Sequence, residues 1–125
     1  MTLASTSSNE RERLATLYSY QILDTPDERE YDDICLLAAQ ICDTSVALVS
    51  MVDSRRQWFK SRVGLKVTET PRPGSFCDHS IQGEGVFEVP DALEDERFAL
   101  TRKACWLESR HGSAQVCSSA LRLRR

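Results

Sequence analysis

No apolar run in this sequence approaches the ~20 residues a helix needs to span a bilayer, so no membrane segment is expected. Met1 to Arg13 has no apolar stretch of the kind a signal peptide carries, and none is expected. There is no C-x-x-C pair. The five cysteines (Cys35, Cys42, Cys77, Cys105 and Cys117) are odd in number and scattered, which argues against a disulfide framework and fits a reducing cytoplasm. A glycine-rich phosphate loop, a G-x-G-x-x-G run, a Walker lysine and kinase or cyclase signatures are all missing. Any output activity is therefore expected in another domain that this chain lacks. The net charge of -3 gives no basic footprint, so no nucleic acid partner is expected. Internal repeats are absent.

What remains is 125 residues, 41% apolar and 28% charged, enough for one small domain with a core of its own. The charge is unevenly spread. Residues 1–98 hold 10 Lys/Arg against 18 Asp/Glu, whereas residues 99–125 hold 6 against 1. The chain thus reads as a disordered N-terminus at 1–8, a domain at 9–98 and an atypical basic tail at 99–125.

Leu14, Leu17, Tyr18 and Ile22 fall at helical spacing, and Glu10 to Tyr18 reads as a helix. Such a helix either pairs between subunits, giving a homodimer, or covers its own core. Thr25-Pro26-Asp27-Glu28 reads as a second helix start, with Thr25 as N-cap, Pro26 at N1 and Glu28 closing a capping box. Tyr31, Ile34, Cys35, Ala38, Ile41 and Cys42 then form one apolar face, with both cysteines as small buried residues. Ser45 to Val52 reads as a central strand buried on both faces. Asp53-Ser54-Arg55 makes a hairpin turn, and Gln57 to Val63 alternates. On that alternation Gln57, Phe59, Ser61 and Val63 point one way, Trp58, Lys60 and Arg62 the other. Gly64 to Gly74 reads as a loop. Ser75 caps a short helix through about Gln82, Val86 to Val89 is a short strand, and Pro90 to Phe98 is a turn with a helical fragment.

The candidate site residues cluster in two runs. In the first, Trp58 and Phe59 lie on opposite strand faces, one for the core and one for a pocket or subunit contact. Lys60 and Arg62 share the face of Trp58, where a cation against an aromatic or an anionic ligand is conceivable and a solvated face is the commoner outcome. Arg55 and Arg56 read as exposed. In the second, Phe76-Cys77-Asp78-His79 admits three uses. Cys77 and His79 can line a pocket, though residues two apart on a helix do not both look inward. As metal ligands they supply two of the about four that a closed zinc site needs, so no metal is expected. As nucleophile and base they need a non-helical loop to meet. Packing of this segment onto the sheet is the plain structural alternative. Asp91, after Pro90, can cap the turn that follows or touch a ligand. No cofactor can be named from these residues.

In order and spacing, several stretches resemble the GAF sensor domains at the front of bacterial histidine kinases, diguanylate cyclases and related regulators. They are Asn9-Glu-Arg-Glu-Arg-Leu14, Tyr20-Gln-Ile-Leu-Asp-Thr-Pro26, the helix Asp32 to Cys42, Arg56-Gln-Trp-Phe-Lys-Ser61 with Gly64-Leu65, Ser75-Phe-Cys-Asp-His-Ser-Ile81 and Val89-Pro-Asp-Ala92. The resemblance covers residues 9–98, about the first two-thirds of such a domain. It implies an α+β fold, a GAF/PAS-like antiparallel sheet flanked by helices, here incomplete at the C-terminus. It also implies a pocket for an unknown small ligand, lined here by Trp58, Phe59, Phe76, Cys77, His79 and Asp91. The implied role is a cytoplasmic two-component-type sensory module regulating a downstream histidine kinase or diguanylate cyclase. The family's later strands are not visible in 99–125, so this tail reads as out of frame or truncated, with a divergent ending as the alternative. Some relatives hold bilins or reduce methionine sulfoxide through cysteines. The rival readings are thus a non-binding dimerisation module and a small thiol-dependent reductase.

Overall fold

The run after the Asp53 turn is the centre of the fold in the computed structural model, which describes residues 9–83, 85–89, 94–98 and 118–119. The elements in chain order are α1 (Glu10–Ser19), α2 (Arg29–Ile41), β1 (Ala47–Val52), β2 (Arg56–Val63), β3 (Glu69–Pro71), α3 (Phe76–Ser80), β4 (Val86–Phe87) and β5 (Ser118–Ser119). The architecture is α+β, with antiparallel pairing throughout. The chain divides into two compact units, one spanning Ser8–Pro71 and the other built from Arg72 onward.

In the first unit the strand order is β1-β2-β3, so β2 is central and β1 lies beside it. That corrects the expected central place of Ser45 to Val52. Of β1 only Val52 is buried, and the rest is half-buried. β2 instead buries five residues in a row, Gln57 to Ser61. Burying a side chain such as Phe59 contributes about 1.5–3 kcal/mol. The expected loop Gly64 to Gly74 contains β3, which pairs Glu69 with Trp58 and Pro71 with Arg56.

The β1–β2 register explains why β2 departs from simple alternation. Val49 faces Ser61 and Ser50 faces Phe59, which leaves Lys60 as an extra residue, a β-bulge. The side-chain pattern changes sense there. Lys60 Nζ donates to Thr25 Oγ1 (2.8 Å) and to the Pro26 carbonyl (2.7 Å) just ahead of α2. The next residue, Ser61, donates to Asp32 within α2. Ser61 and Val63 therefore share the α2-facing side with Trp58, not the side of Phe59. Gln57 keeps the opposite side, where its amide donates to Ser50 Oγ.

α2 packs on β1 and β2 with Cys35 buried and Asp32 and Ala39 half-buried. It starts at Arg29, behind an extended Glu28, with no side-chain cap. The expected box at Thr25 does not form, because the Thr25 hydroxyl donates to the Ile22 carbonyl and accepts from Lys60. The helix is also turned relative to the expected apolar face. Ile34, Ala38 and Ile41 are exposed, and so is Cys42, which was expected to be buried. Ser61 of β2 draws Asp32 inward, and the apolar stripe turns outward with it.

Gly64 closes β2 with a φ of +76°, and a Cβ there would fall on the Ser45 carbonyl oxygen. Only glycine lets the two strand ends approach this closely. In the second unit β4 pairs with β5. Among the described residues no helix is long and apolar enough to cross a membrane. The readings for 1–8 and for nearly all of 99–125 lie outside the described residues.

Candidate functional site

The segment after β3 builds a small polar and aromatic site from local rules. Gly74 takes a φ of +74°, and Ser75 N donates to the Arg72 carbonyl (3.0 Å), closing a turn. Ser75 then caps α3 as expected, its hydroxyl accepting from Asp78 N at 3.1 Å. Asp78 also accepts from Arg72 Nε at 2.7 Å, and both residues are buried. A charge-assisted pair of this kind ties α3 to the loop that leads into it.

Phe98 is the apolar centre of this unit and is fully buried. Phe76 lies 4.4 Å from it in a tilted pair, and His79 meets its edge at 5.1 Å. The Arg97 guanidinium sits over Phe87 (4.9 Å) and Phe98 (5.2 Å), where cation–π attraction adds to its pairing with Asp95 at 2.7 Å. That hydrogen bond from Arg97 holds the Asp95 carboxyl below the usual carboxylate range against the opposing effect of burial, with the Arg97 backbone N–H helping. Among the described residues, buried Nε2 of His79 meets no hydrogen-bond partner. Cys77 is half-buried.

The site residues expected from sequence thus fall in two places. Phe76 and His79 converge on Phe98. Cys77 lies on the same helix, and because α3 is helical across both, Cys77 and His79 diverge and do not form a thiol–base pair. Trp58 and Phe59 are both buried in β2 of the first unit. Asp91 lies outside the described residues. Sequence reasoning missed the Arg72–Asp78 pair and the central place of Phe98. An aspartate three residues past a capping serine, with an arginine just upstream, was the available signal for the first.

The strand residues read as solvated or exposed are corrected as well. Lys60 is fully buried, its Nζ 2.6 Å from Glu28 and 5.4 Å above the Tyr31 ring. Arg56 is not a free turn residue. It donates to Asp24 (2.7 and 2.8 Å), to Glu69 (2.7 Å) and to Asp53 (3.2 Å). Hydrogen bonds to Asp24 and Glu69 raise its pKa well above the usual arginine value. Among the described residues no cluster of three or more His, Cys, Asp or Glu is placed to hold a metal.

No family model matches the chain. Over 90 residues, 72% of its length, it is 39% identical to a cyclic di-GMP phosphodiesterase of Pseudomonas aeruginosa. The matched stretch spans 15% of that protein. Both facts describe likeness to a segment of a much longer signalling enzyme.

Proposed function

We propose that the chain is a GAF-type sensory module of a bacterial signalling protein whose output is cyclic di-GMP turnover. The observation that carries this is the 39% identity over 90 residues with a cyclic di-GMP phosphodiesterase. The α+β fold with its antiparallel sheet supports it. In this reading the module sits in the cytoplasm, holds a small ligand and passes a conformational bias to an output domain outside this chain. Phe76 and His79, which meet on Phe98 within one unit, are the residues proposed to face the ligand. His79 is the stronger of them, since its buried Nε2 has room in its bonding pattern for a ligand atom. The output is proposed as cyclic di-GMP chemistry in preference to a histidine kinase, because the likeness is to an enzyme of that kind.

The test exchanges the matching segment of the Pseudomonas aeruginosa phosphodiesterase for this chain. A chimera that hydrolyses cyclic di-GMP at a rate within threefold of the parent, while deletion of the segment changes the rate at least tenfold, is the expected result. Equal rates in parent, chimera and deletion would remove the regulatory reading.

A further inference from the structure

The first helix is held to its sheet in a way unlike anything else in the Ser8–Pro71 unit. α1 buries no residue. Leu14 and Leu17 are half-buried, and Tyr18 is exposed. Two side-chain bonds reach from α1 to the end of β1. Arg13 Nη1 donates to the Val52 carbonyl at 2.6 Å, with its other nitrogens on Glu10 at 2.8 and 2.9 Å. Tyr18 OH donates to Asp53 Oδ1 at 2.6 Å. Both bonds end on adjacent residues at the β1–β2 turn.

Asp53 itself is fixed from behind. It accepts from Ser54 N at 2.7 Å and from Arg56 Nε at 3.2 Å. Arg56 in turn holds Asp24, in the linker between α1 and α2. From Asp24 onward the linker is pinned to β2, since Lys60 holds Thr25, Pro26 and Glu28. Tyr20 to Leu23, by contrast, bond locally: the Tyr20 and Gln21 N–H groups donate to the end of α1, and the Ile22 carbonyl accepts from Thr25. Within this stretch Gln21 has a φ of +50°, a left-handed conformation that a non-glycine residue adopts at a cost of about 1 kcal/mol or more. Undocking α1 would let Gln21 relax, whereas the residues after it would stay in place.

We propose that α1 is a releasable strap that swings about Gln21, with Asp53 and the Val52 carbonyl as its catch. Segments held by solvent-accessible polar bonds over few apolar contacts open locally at low free energy, while the sheet beneath them stays closed. The device stands whatever the chain senses, because it is defined by contacts within one unit. Its catch lies beside a hub that also reaches β3 through Glu69, so a shift at the sheet edge has a short covalent and ionic path to α1.

The test is amide hydrogen exchange, read by mass spectrometry, on the wild type and on the double variant Arg13→Gln, Tyr18→Phe. The expected result is exchange at least tenfold faster over Leu14–Ser19 in the variant, with β2 amides Gln57–Ser61 changed by less than twofold. Unchanged exchange in α1 would overturn the proposal, and so would equal acceleration in α1 and β2, which would mean the helix opens only with the whole unit. Arg13→Lys with Tyr18 intact supplies a milder second variant. It keeps a donor for Val52 and should restore most of the α1 protection, and a loss as large as in the double variant would also overturn the catch.

Discussion

α1 and α2 are both joined to the same sheet by polar bonds, α1 at the end of β1 and the turn after it, α2 along β2. The bonds are similar in length, yet they do different work. Those of α2 are formed by Lys60 and Ser61, which are fully buried, beside a buried Cys35. Those of α1 are formed by side chains at the edge, with nothing buried beneath. In a medium screened from water an ion pair is strong, and costly to break singly; at the surface it contributes at most about 1 kcal/mol. The lesson is that distance alone does not rank the two attachments, and burial does.

The largest effect should come from removing the floor that both helices share. Gly64→Ala forces a Cβ onto the Ser45 carbonyl at a positive φ, and should destabilise the chain by on the order of 3 kcal/mol, read by urea unfolding. Next comes the α2 attachment. Glu28→Ala leaves the buried Lys60 ammonium without its carboxylate and should cost about 2–3 kcal/mol. Lys60→Met keeps the volume and leaves a half-exposed Glu28 that water can solvate, so it should cost less, about 1 kcal/mol. If the two variants prove equal, burial is not what distinguishes this pair.

Both ends of the pH range should loosen α1. Burial works to raise the Asp53 carboxyl, but hydrogen bonds from Tyr18, Ser54 N–H and Arg56 outweigh it and hold it below the usual range. Its contribution is complete above the unfolded carboxylate value of about 4 and is lost as pH falls through the lower folded value. Tyr18 moves the other way, raised chiefly by its bond to Asp53. That contribution is complete below about pH 10 and is lost as pH rises through the raised value. Exchange in α1, corrected for the intrinsic pH dependence, should therefore quicken at both ends. The smallest effect is Tyr18→Phe alone, expected to shift global stability by about 0.5 kcal/mol or less while loosening α1.

Where signals were local, the sequence was sufficient. The α1 spacing, the Asp53 turn and the Ser75 cap each depend on residues within a few positions, and each lies where it was expected. Where a distant partner decided, local signals misled. Thr25 had the chemistry of a cap, but Lys60, 35 residues later, took its hydroxyl as acceptor. β3 was hidden because three residues ending in proline carry no period to recognise. At the candidate site, Phe76 and His79 were visible through their motif. Phe98, 22 and 19 residues further on, gained its role only from folding. The turned face of α2 has the same origin: Ser61 claims Asp32 across the sheet.

The extra residue at Lys60 has a last consequence, for anyone substituting along β2. A strand is usually treated as having one parity, odd positions inward and even outward, or the reverse. Here parity is conserved only up to Phe59 and then inverts. Arg62 belongs with Phe59 and Gln57, and Val63 with Trp58, so a polar scan or a library designed on a single register would place half its changes on the wrong side. Deleting Lys60 would restore a uniform parity with Ser61 still on the α2 side, and would cost the bonds from Lys60 to Thr25, Pro26 and Glu28.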